Sequence, residues 1–145
     1  MKRSRYAMAT IGLLATAACA TKPVMEPTET ESLSGTSWQL VKFVGGDDTT
    51  RVPDDPGKYT IEFGADGSLT ARVDCNRGRG TWKSGGAPQL EFSPLALTRA
   101  MCAEGSLHDF LVRQWPHVRS YVLKDGHLHL SLMADAGVFE FEPAR

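Results

Sequence analysis

The sequence predicts a mainly β domain, a small antiparallel β-barrel with one packed α-helix. Short segments in which apolar and polar residues alternate recur along the chain, which is typical of strands with one buried face. Turn signals rich in Gly and Asp separate these segments, and a single stretch near residue 110 has helical spacing instead. Closing about seven or eight short strands into a barrel removes exposed sheet edges, so a barrel is the expected arrangement.

The N-terminus has the pattern of a bacterial export signal. Lys2, Arg3 and Arg5 precede an uncharged, mostly apolar run that ends in small residues. This run is too short to span a membrane as a stable helix. A buried N-terminal helix of the domain is the alternative, but the charged flank and the small-residue end favour a signal peptide over residues 1–18.

The predicted signal peptide ends in Thr16-Ala17-Ala18-Cys19, which resembles the lipobox of bacterial lipoproteins. In that class the cysteine is lipidated and becomes the mature N-terminus, so lipidation is expected at Cys19. The residue three before the cysteine is usually aliphatic and here it is Thr16. An ordinary cut after Ala17 or Ala20 therefore stays open, which would give a soluble periplasmic or secreted protein.

Residues 19–32 predict a flexible tether after the lipidated cysteine. The segment "ATKPVMEPTETES" is rich in Pro, Thr, Ser and Glu, and it has too few large apolar groups to fold. Because Ala20 is not Asp, the resemblance to lipoproteins implies the outer membrane, with the domain facing the periplasm. The expected partners are the membrane, through the N-terminal lipid, and other envelope proteins.

The charge balance argues against nucleic acid as a partner. The sequence has 16 Lys and Arg against 17 Asp and Glu, a net charge of −1. Loss of residues 1–18 removes three basic and no acidic residues, so the charge falls to −4. A chain without a basic surplus is not expected to bind nucleic acid. What remains is one small domain over residues 33–145, expected to be monomeric.

Cys75 and Cys102 remain once Cys19 is assigned to lipid. An even pair of cysteines in an oxidising compartment predicts a disulfide. The pair is 27 residues apart, and closing such a loop stabilises the fold by roughly 3–4 kcal/mol. The alternatives are a catalytic thiol, which needs a nearby base, and a zinc site that also uses His108. Zinc is disfavoured because no closely spaced ligand pair occurs.

The first half of the domain is predicted to contain a strand, a hairpin and two further short strands. Alternation in the hairpin continues through its last residue, which places Cys75 on the buried face. The hairpin turn is the Ala-Asp-Gly-Ser segment, and glycines close the third strand. The segments are "TSWQLVKFV" (36–44), "YTIEFGADGSLTARVDC" (59–75), "GTWKSGG" (80–86) and "QLEFSP" (89–94).

The second half changes from helical to β patterning. Apolar residues recur at helical spacing after Ser106, which stands at the N-cap position with Asp109 in the capping-box position. Pro116 is expected to end or kink this helix near Trp115. Three strands then follow up to residue 143, and Asp125-Gly126 is a strong hairpin signal between the first two.

Four motifs resemble the META-domain family, also called the heat-shock protein HslJ family of bacterial envelope lipoproteins. They are "GTSWQL", "DCNRGRGTW", "PLALTRAMC" and "GHLHLSL", and the resemblance extends from residue 33 to residue 143. The resemblance implies a small barrel of lipocalin-like topology with a helix packed on it. It also implies roles in heat shock, envelope stress or novobiocin resistance, with no catalytic site and no cofactor to transfer.

The "DCNRGRG" stretch is interpreted as a structural turn that holds the disulfide. Asn76 tolerates a left-handed conformation and can bond its own backbone, which suits a turn or bulge. Gly78 and Gly80 allow positive φ or close backbone approach. Trp82 is expected to cover the disulfide crossing, where the bond joins the two segments.

A functional hypothesis for the same stretch is an anion-binding site. Arg77, Arg79 and Arg99 could converge on a carboxylate or phosphate near the start of the helix. The alternative is that these arginines are solvated or pair with Glu104 and Asp74. A phosphate-binding P-loop is excluded because no Gly-Lys-Ser/Thr follows the glycines.

No catalytic motif or metal-binding set is found in the sequence. His127 and His129 have the spacing of a surface metal site, but without a third ligand they are interpreted as solvent-facing. His108 and His117 are interpreted as surface groups beside the helix. The chain is therefore expected to be a non-enzymatic envelope lipoprotein. The alternative is a binding module that holds a small apolar or anionic ligand at the barrel mouth.

Overall fold

The structure, a computed structural model, describes residues 32–145. The predicted signal peptide, Cys19 and all but the last residue of the predicted tether lie outside the described residues. Within them the chain forms one α-helix, α1 (His108–Gln114), and ten strands: β1 (Thr36–Gly45), β2 (Thr50–Arg51), β3 (Tyr59–Phe63), β4 (Ser68–Val73), β5 (Asn76–Lys83), β6 (Glu91–Phe92), β7 (Ala96–Leu97), β8 (Val118–Lys124), β9 (His127–Leu132) and β10 (Gly137–Pro143).

The strands form an antiparallel barrel, as predicted. Their order is β6-β5-β4-β3-β1-β10-β9-β8, and the short strands β2 and β7 pair with β1 and β5. The segment before β6 closes the barrel against β8: Leu90 N donates to Arg119 O at 3.0 Å and Tyr121 N donates to Pro88 O at 2.8 Å. Register shifts in β1 and β8 mark bulges, which bend strands around the closure.

The interior is filled by large side chains. Phe63, Phe139 and Phe141 are fully buried, and Trp115 stacks on Phe92 with ring centroids 4.3 Å apart. Six large aromatic residues face the interior, with Phe92 half-buried and the others buried: Trp38, Tyr59, Phe63, Phe92, Trp115 and Phe141. A cavity lined by Tyr59 and Trp115 measures about 20 Å³, room for about one water molecule.

The helix is shorter than predicted and packs across one end of the barrel. Phe110 meets Phe43 with ring centroids 4.9 Å apart. Pro116 ends α1, as expected, and the chain continues as one 3-10 turn over Trp115–His117. The predicted capping box is wrong. The N-cap is Leu107, which has no side-chain cap. Ser106 Oγ accepts the His108 N–H at 3.1 Å.

The two ends of the barrel differ in what they carry. β1 begins where β3 ends, because Thr36 pairs with Phe63. The turn between β4 and β5 lies at the other end, because Val73 pairs with both Tyr59 and Asn76. That end also holds α1, since Leu107 N donates to Tyr59 Oη at 2.9 Å. The "DCNRGRG" stretch and the start of the helix therefore meet at the end opposite the start of β1.

Candidate functional site

The two cysteines of the domain are joined, as predicted. Cys75 and Cys102 form a disulfide with a Cα–Cα distance of 5.5 Å. The bond ties the turn between β4 and β5 to the segment that precedes α1. A catalytic thiol and a zinc site both need a free thiolate, and the oxidised protein offers neither cysteine in that form.

Cys75 does not lie on the buried face, which corrects the prediction from alternation. The ladder between β4 and β5 ends with the pair Val73–Asn76. Asp74 has a φ of 56°, so the chain reverses one residue before the alternation reaches Cys75. Cys75 is consequently exposed in a two-residue turn, whereas Cys102 is half-buried.

Asn76 is fully buried and holds the segment that leads to Cys102. Its Oδ1 accepts from Ala100 N at 2.8 Å and from Thr98 Oγ1 at 2.9 Å. Its Nδ2 donates to Ala100 O at 3.0 Å. The expected left-handed turn at Asn76 is wrong, because Asp74 adopts that conformation and Asn76 begins β5. Asn76 is instead a long-range clamp, and the local sequence carries no signal for its distant partner.

Gly78 and Gly80 allow close approach and do not adopt positive φ. A Cβ on Gly78 would lie 2.8 Å from Leu97 Cδ2, and one on Gly80 would lie 2.9 Å from Ser93 Oγ. The two glycines therefore let the segment around β7 lie against β5.

Trp82 does not cover the disulfide crossing. It lies near the far end of β5 and meets Phe63 edge to face at 5.3 Å. Its Nε1 donates to Gly64 O at 3.1 Å. Trp82 therefore stabilises the opposite end of the barrel.

The three candidate anion-binding arginines lie around one edge of the sheet. Arg77 and Arg79 are exposed on the outer face of β5, where Arg79 is paired with Ala96 of β7. Arg99 follows β7 and is also exposed. Among the described residues, no carboxylate lies within 4.0 Å of any of the three guanidinium groups, so the arginines are solvated and the pairing with Glu104 and Asp74 that the alternative also allowed does not form.

A groove of about 920 Å³ runs between the segment around β7 and α1. One wall is residues 95–103, which include Arg99, Met101 and Cys102. The other wall includes Asp109 and Val112 of α1. Arg77 and Arg79 do not line it, so the three arginines do not share one pocket. Met101 is 99% exposed, which places an apolar side chain in solvent at the rim.

His108 lines this groove and is half-buried, so it is not the surface group expected. Its Nδ1 lies 2.9 Å from Asp109 Oδ1. Its Nε2 is buried and has no hydrogen-bond partner among the described residues. The sequence did not predict this placement of His108, because the helix is shorter than predicted and His108 is its first residue. His117 is exposed, as expected.

The outer face of β9 and β10 carries a second polar cluster. His127 Nδ1 lies 2.7 Å from Glu140 Oε1, and Lys42 Nζ lies 3.3 Å from Glu140 Oε2. Partial burial acts to raise the pKa of Glu140, but the hydrogen bond from His127 and the Lys42 ammonium outweigh it and hold this pKa below its ordinary value. The His127 and His129 rings are 6.5 Å apart.

The polar clusters do not form a catalytic constellation. In the described part of the chain, neither histidine–carboxylate pair has a hydroxyl or thiol hydrogen-bonded to its other ring nitrogen. No group of three or more His, Cys, Asp or Glu among residues 32–145 is arranged to hold a metal ion. No helix over the same range has the length and apolar character of a membrane span.

A family model described as META domain matches residues 31–145. The chain belongs to the META domain family. The matched range covers the whole described barrel, including the disulfide, the Asn76 clamp and the groove. No curated protein matches the sequence.

Solved structures similar to this META domain share its fold. A protein from Burkholderia xenovorans is 21% identical with a TM-score of 0.65, covering 93% of this chain and 99% of its own. A DUF4847 family protein from Bacteroides vulgatus is 16% identical with a TM-score of 0.59, covering 77% and 94%. A lipocalin-like protein from Bacteroides uniformis is 17% identical with a TM-score of 0.51, covering 78% and 100%. The lipocalin-like barrel expected from the resemblance is therefore confirmed.

Proposed function

We propose that this META domain is a non-enzymatic lipoprotein of the bacterial cell envelope, anchored to the outer membrane through Cys19 and facing the periplasm. Its role is in envelope stress, heat shock or drug tolerance, exerted through contacts with other envelope components. The observation that carries the proposal is the Cys75–Cys102 disulfide, because such bonds form and persist in oxidising compartments such as the periplasm.

The arrangement of the barrel supports a scaffold with no reaction of its own. Large aromatic side chains fill the interior, and both domain cysteines are consumed in a disulfide that ties two distant segments together. The predicted tether places the domain at a distance from the proposed lipid. Activity then depends on what the outer surface of the barrel presents.

The test is intact-mass analysis of the mature protein isolated from its native envelope, before and after reduction. The expected mass is that of a chain beginning at Cys19 with a diacylglycerol and an acyl group, which gains two hydrogens on reduction. A Cys19→Ala variant is the control and should be recovered without lipid. A mature wild-type chain that begins after Ala17 or Ala20 and carries no lipid would contradict the anchor.

The role in stress needs a separate measurement. A strain that lacks this protein should grow less well at heat-shock temperature or with novobiocin, and the wild-type gene should restore growth. Equal growth of the two strains under both conditions would argue against a role in tolerance.

The alternative function is a module that binds a small apolar or anionic ligand at the barrel mouth. Small-molecule sites typically measure about 300–1,000 Å³, and the cavity beside Tyr59 and Trp115 is far smaller, about 20 Å³. The groove beside β7, at about 920 Å³, falls within that range. A binding role is therefore favoured on the outside of the barrel.

A further inference from the structure

The groove beside β7 has an open strand edge as one of its walls. β7 pairs with β5, and no other strand of the described chain pairs with it. Thr98 N donates to Arg77 O at 2.9 Å, so the backbone of Thr98 faces β5. Alternate residues of an antiparallel strand direct their N–H and C=O groups to opposite sides. The backbone groups of Leu95, Leu97 and Arg99 therefore face away from β5, toward the groove.

The groove has room for a second chain along this edge. Its walls contain small residues, which let another backbone approach closely: Ala96, Ala100, Ala103 and Gly105. Val112 of α1 supplies apolar surface on the opposite wall. An open strand edge facing a helix is the geometry in which an extended peptide adds as a new strand, with backbone hydrogen bonds giving affinity and side-chain contacts giving specificity.

The charges at this edge favour an acidic occupant. The guanidinium groups of Arg77, Arg79 and Arg99 have no carboxylate within 4.0 Å among the described residues. Asp109 is on the opposite wall and lies against His108, 2.9 Å away. An extended strand beside β7 would bring its own side chains next to Arg99, which lines the groove, and carboxylates there would form charge-assisted hydrogen bonds. Arg77 and Arg79 lie one strand further away on β5 and add positive charge to this edge of the sheet.

We propose that the groove between residues 95–103 and α1 is a docking site for an extended, acidic peptide segment of a partner protein, which adds as a strand to the free edge of β7. Arg99 is the specificity residue, because it lies in the groove wall and forms no ion pair within residues 32–145. The site is formed by the domain alone, so it does not depend on lipidation of Cys19.

The test uses the purified, oxidised protein labelled with nitrogen-15 and titrated with pools of short synthetic peptides. The first pool alternates glutamate with varied apolar residues. The second replaces each glutamate with lysine, and the third is the first pool with alternate backbone nitrogens methylated, which removes strand-forming donors. The expected result is a shift of the Leu95, Leu97 and Arg99 amide signals with the first pool and much weaker shifts with the other two.

Two charge-reversal variants localise the effect. Arg99→Glu should weaken binding of the glutamate pool by about tenfold or more, since attraction between opposite charges is replaced by repulsion between like charges. Arg113→Glu is the matched control, because Arg113 is an exposed arginine in the last turn of α1 and does not line the groove. Its affinity should match the wild type.

The proposal is overturned if none of the pools shifts the three amides at millimolar concentration. It is also overturned if the lysine or methylated pool binds as well as the first, or if the shifts map to another face of the barrel. Self-association through these amides, seen as shifts that depend on protein concentration without peptide, would likewise replace the partner with a second copy of the chain and overturn it.

Discussion

The side-chain amide of Asn76 pairs with both backbone groups of Ala100. Nδ2 donates to the Ala100 carbonyl at 3.0 Å, and Oδ1 accepts from the Ala100 N–H at 2.8 Å. This two-bond pair continues the contact between β5 and β7 beyond the end of the ladder. It also holds the wall of the groove independently of the neighbouring disulfide. The site therefore rests on two different links, one of hydrogen bonds and one covalent.

Asn76→Asp should destabilise the domain strongly at neutral pH. The carboxylate would be fully buried and would face the Ala100 carbonyl in place of a donor. A buried charge that no opposite charge compensates typically costs about 3–5 kcal/mol. Burial would raise the pKa of this carboxyl above its unfolded value of about 3.9, so the loss should grow as pH rises through that value. Urea unfolding of variant and wild type at several pH values measures it.

Asn76→Ala is the control for that pH dependence. It removes the same hydrogen bonds, and each unsatisfied buried group costs about 1–3 kcal/mol. It introduces no titrating group. Its difference from wild type should therefore stay constant with pH, while that of Asn76→Asp shrinks in acid. Parallel curves for the two variants would contradict a buried carboxylate.

The double variant Cys75→Ser/Cys102→Ser should unfold at lower urea concentration. Loss of a bond that closes 27 residues costs roughly 3–4 kcal/mol by the chain-entropy estimate. Wild type with a reductant should behave like the double variant, because each lacks the same covalent link. A reduced wild type as stable as the oxidised protein would show that the Asn76 clamp alone carries this end of the barrel.

The sequence predicted the barrel because its strands repeat a strong local signal. Leu128, Leu130 and Leu132 alternate with polar residues and are buried, and both residues of the Asp125-Gly126 turn have positive φ. The disulfide was also predictable, because an even number of remaining cysteines in an oxidising compartment indicates one without any knowledge of geometry. These features depend on residues that are close in sequence or on counting alone.

The candidate site was harder to predict because its contacts are long-range. The turn at Asp74 contains no glycine, so alternation seemed to continue through Cys75. Asn76 bonds a residue 24 positions away, and no local pattern indicates such a partner. The groove arises only when β7, a two-residue strand too short to stand out in the sequence, lies opposite α1.

Glu140→Gln should lower stability at neutral pH and matter less in acid. The pKa of Glu140 lies below its ordinary value of 4.5, since His127 and Lys42 outweigh the effect of burial. A depressed pKa in the folded state stabilises the protein above the unfolded pKa, and this contribution is lost as pH falls through the folded pKa. At pH 7 the variant is expected to lose about 0.5–1 kcal/mol of unfolding free energy relative to wild type. This difference should disappear as the pH falls below 4.5.

Glu91→Gln is the matched control for Glu140. Glu91 is exposed at the start of β6 and, among the described residues, forms no ion pair. Thermal unfolding from pH 3 to pH 8 should give the Glu91→Gln variant the same profile as wild type. A stability curve for Glu140→Gln that stays parallel to that of wild type across this pH range would contradict the ion-pair explanation.

Gly78→Ala should loosen β7 from the barrel. The new Cβ would lie 2.8 Å from Leu97 Cδ2, so one side must move. Overpacking of this kind typically costs about 1–3 kcal/mol. Gly85→Ala is the control, because its nearest contact is an ordinary 3.4 Å to the end of a glutamine side chain. In the Leu97→Ala background the added methyl finds space, so Gly78→Ala should then cost little. If Gly78→Ala costs as much in that background as in wild type, the Leu97 contact is not what requires glycine at this position.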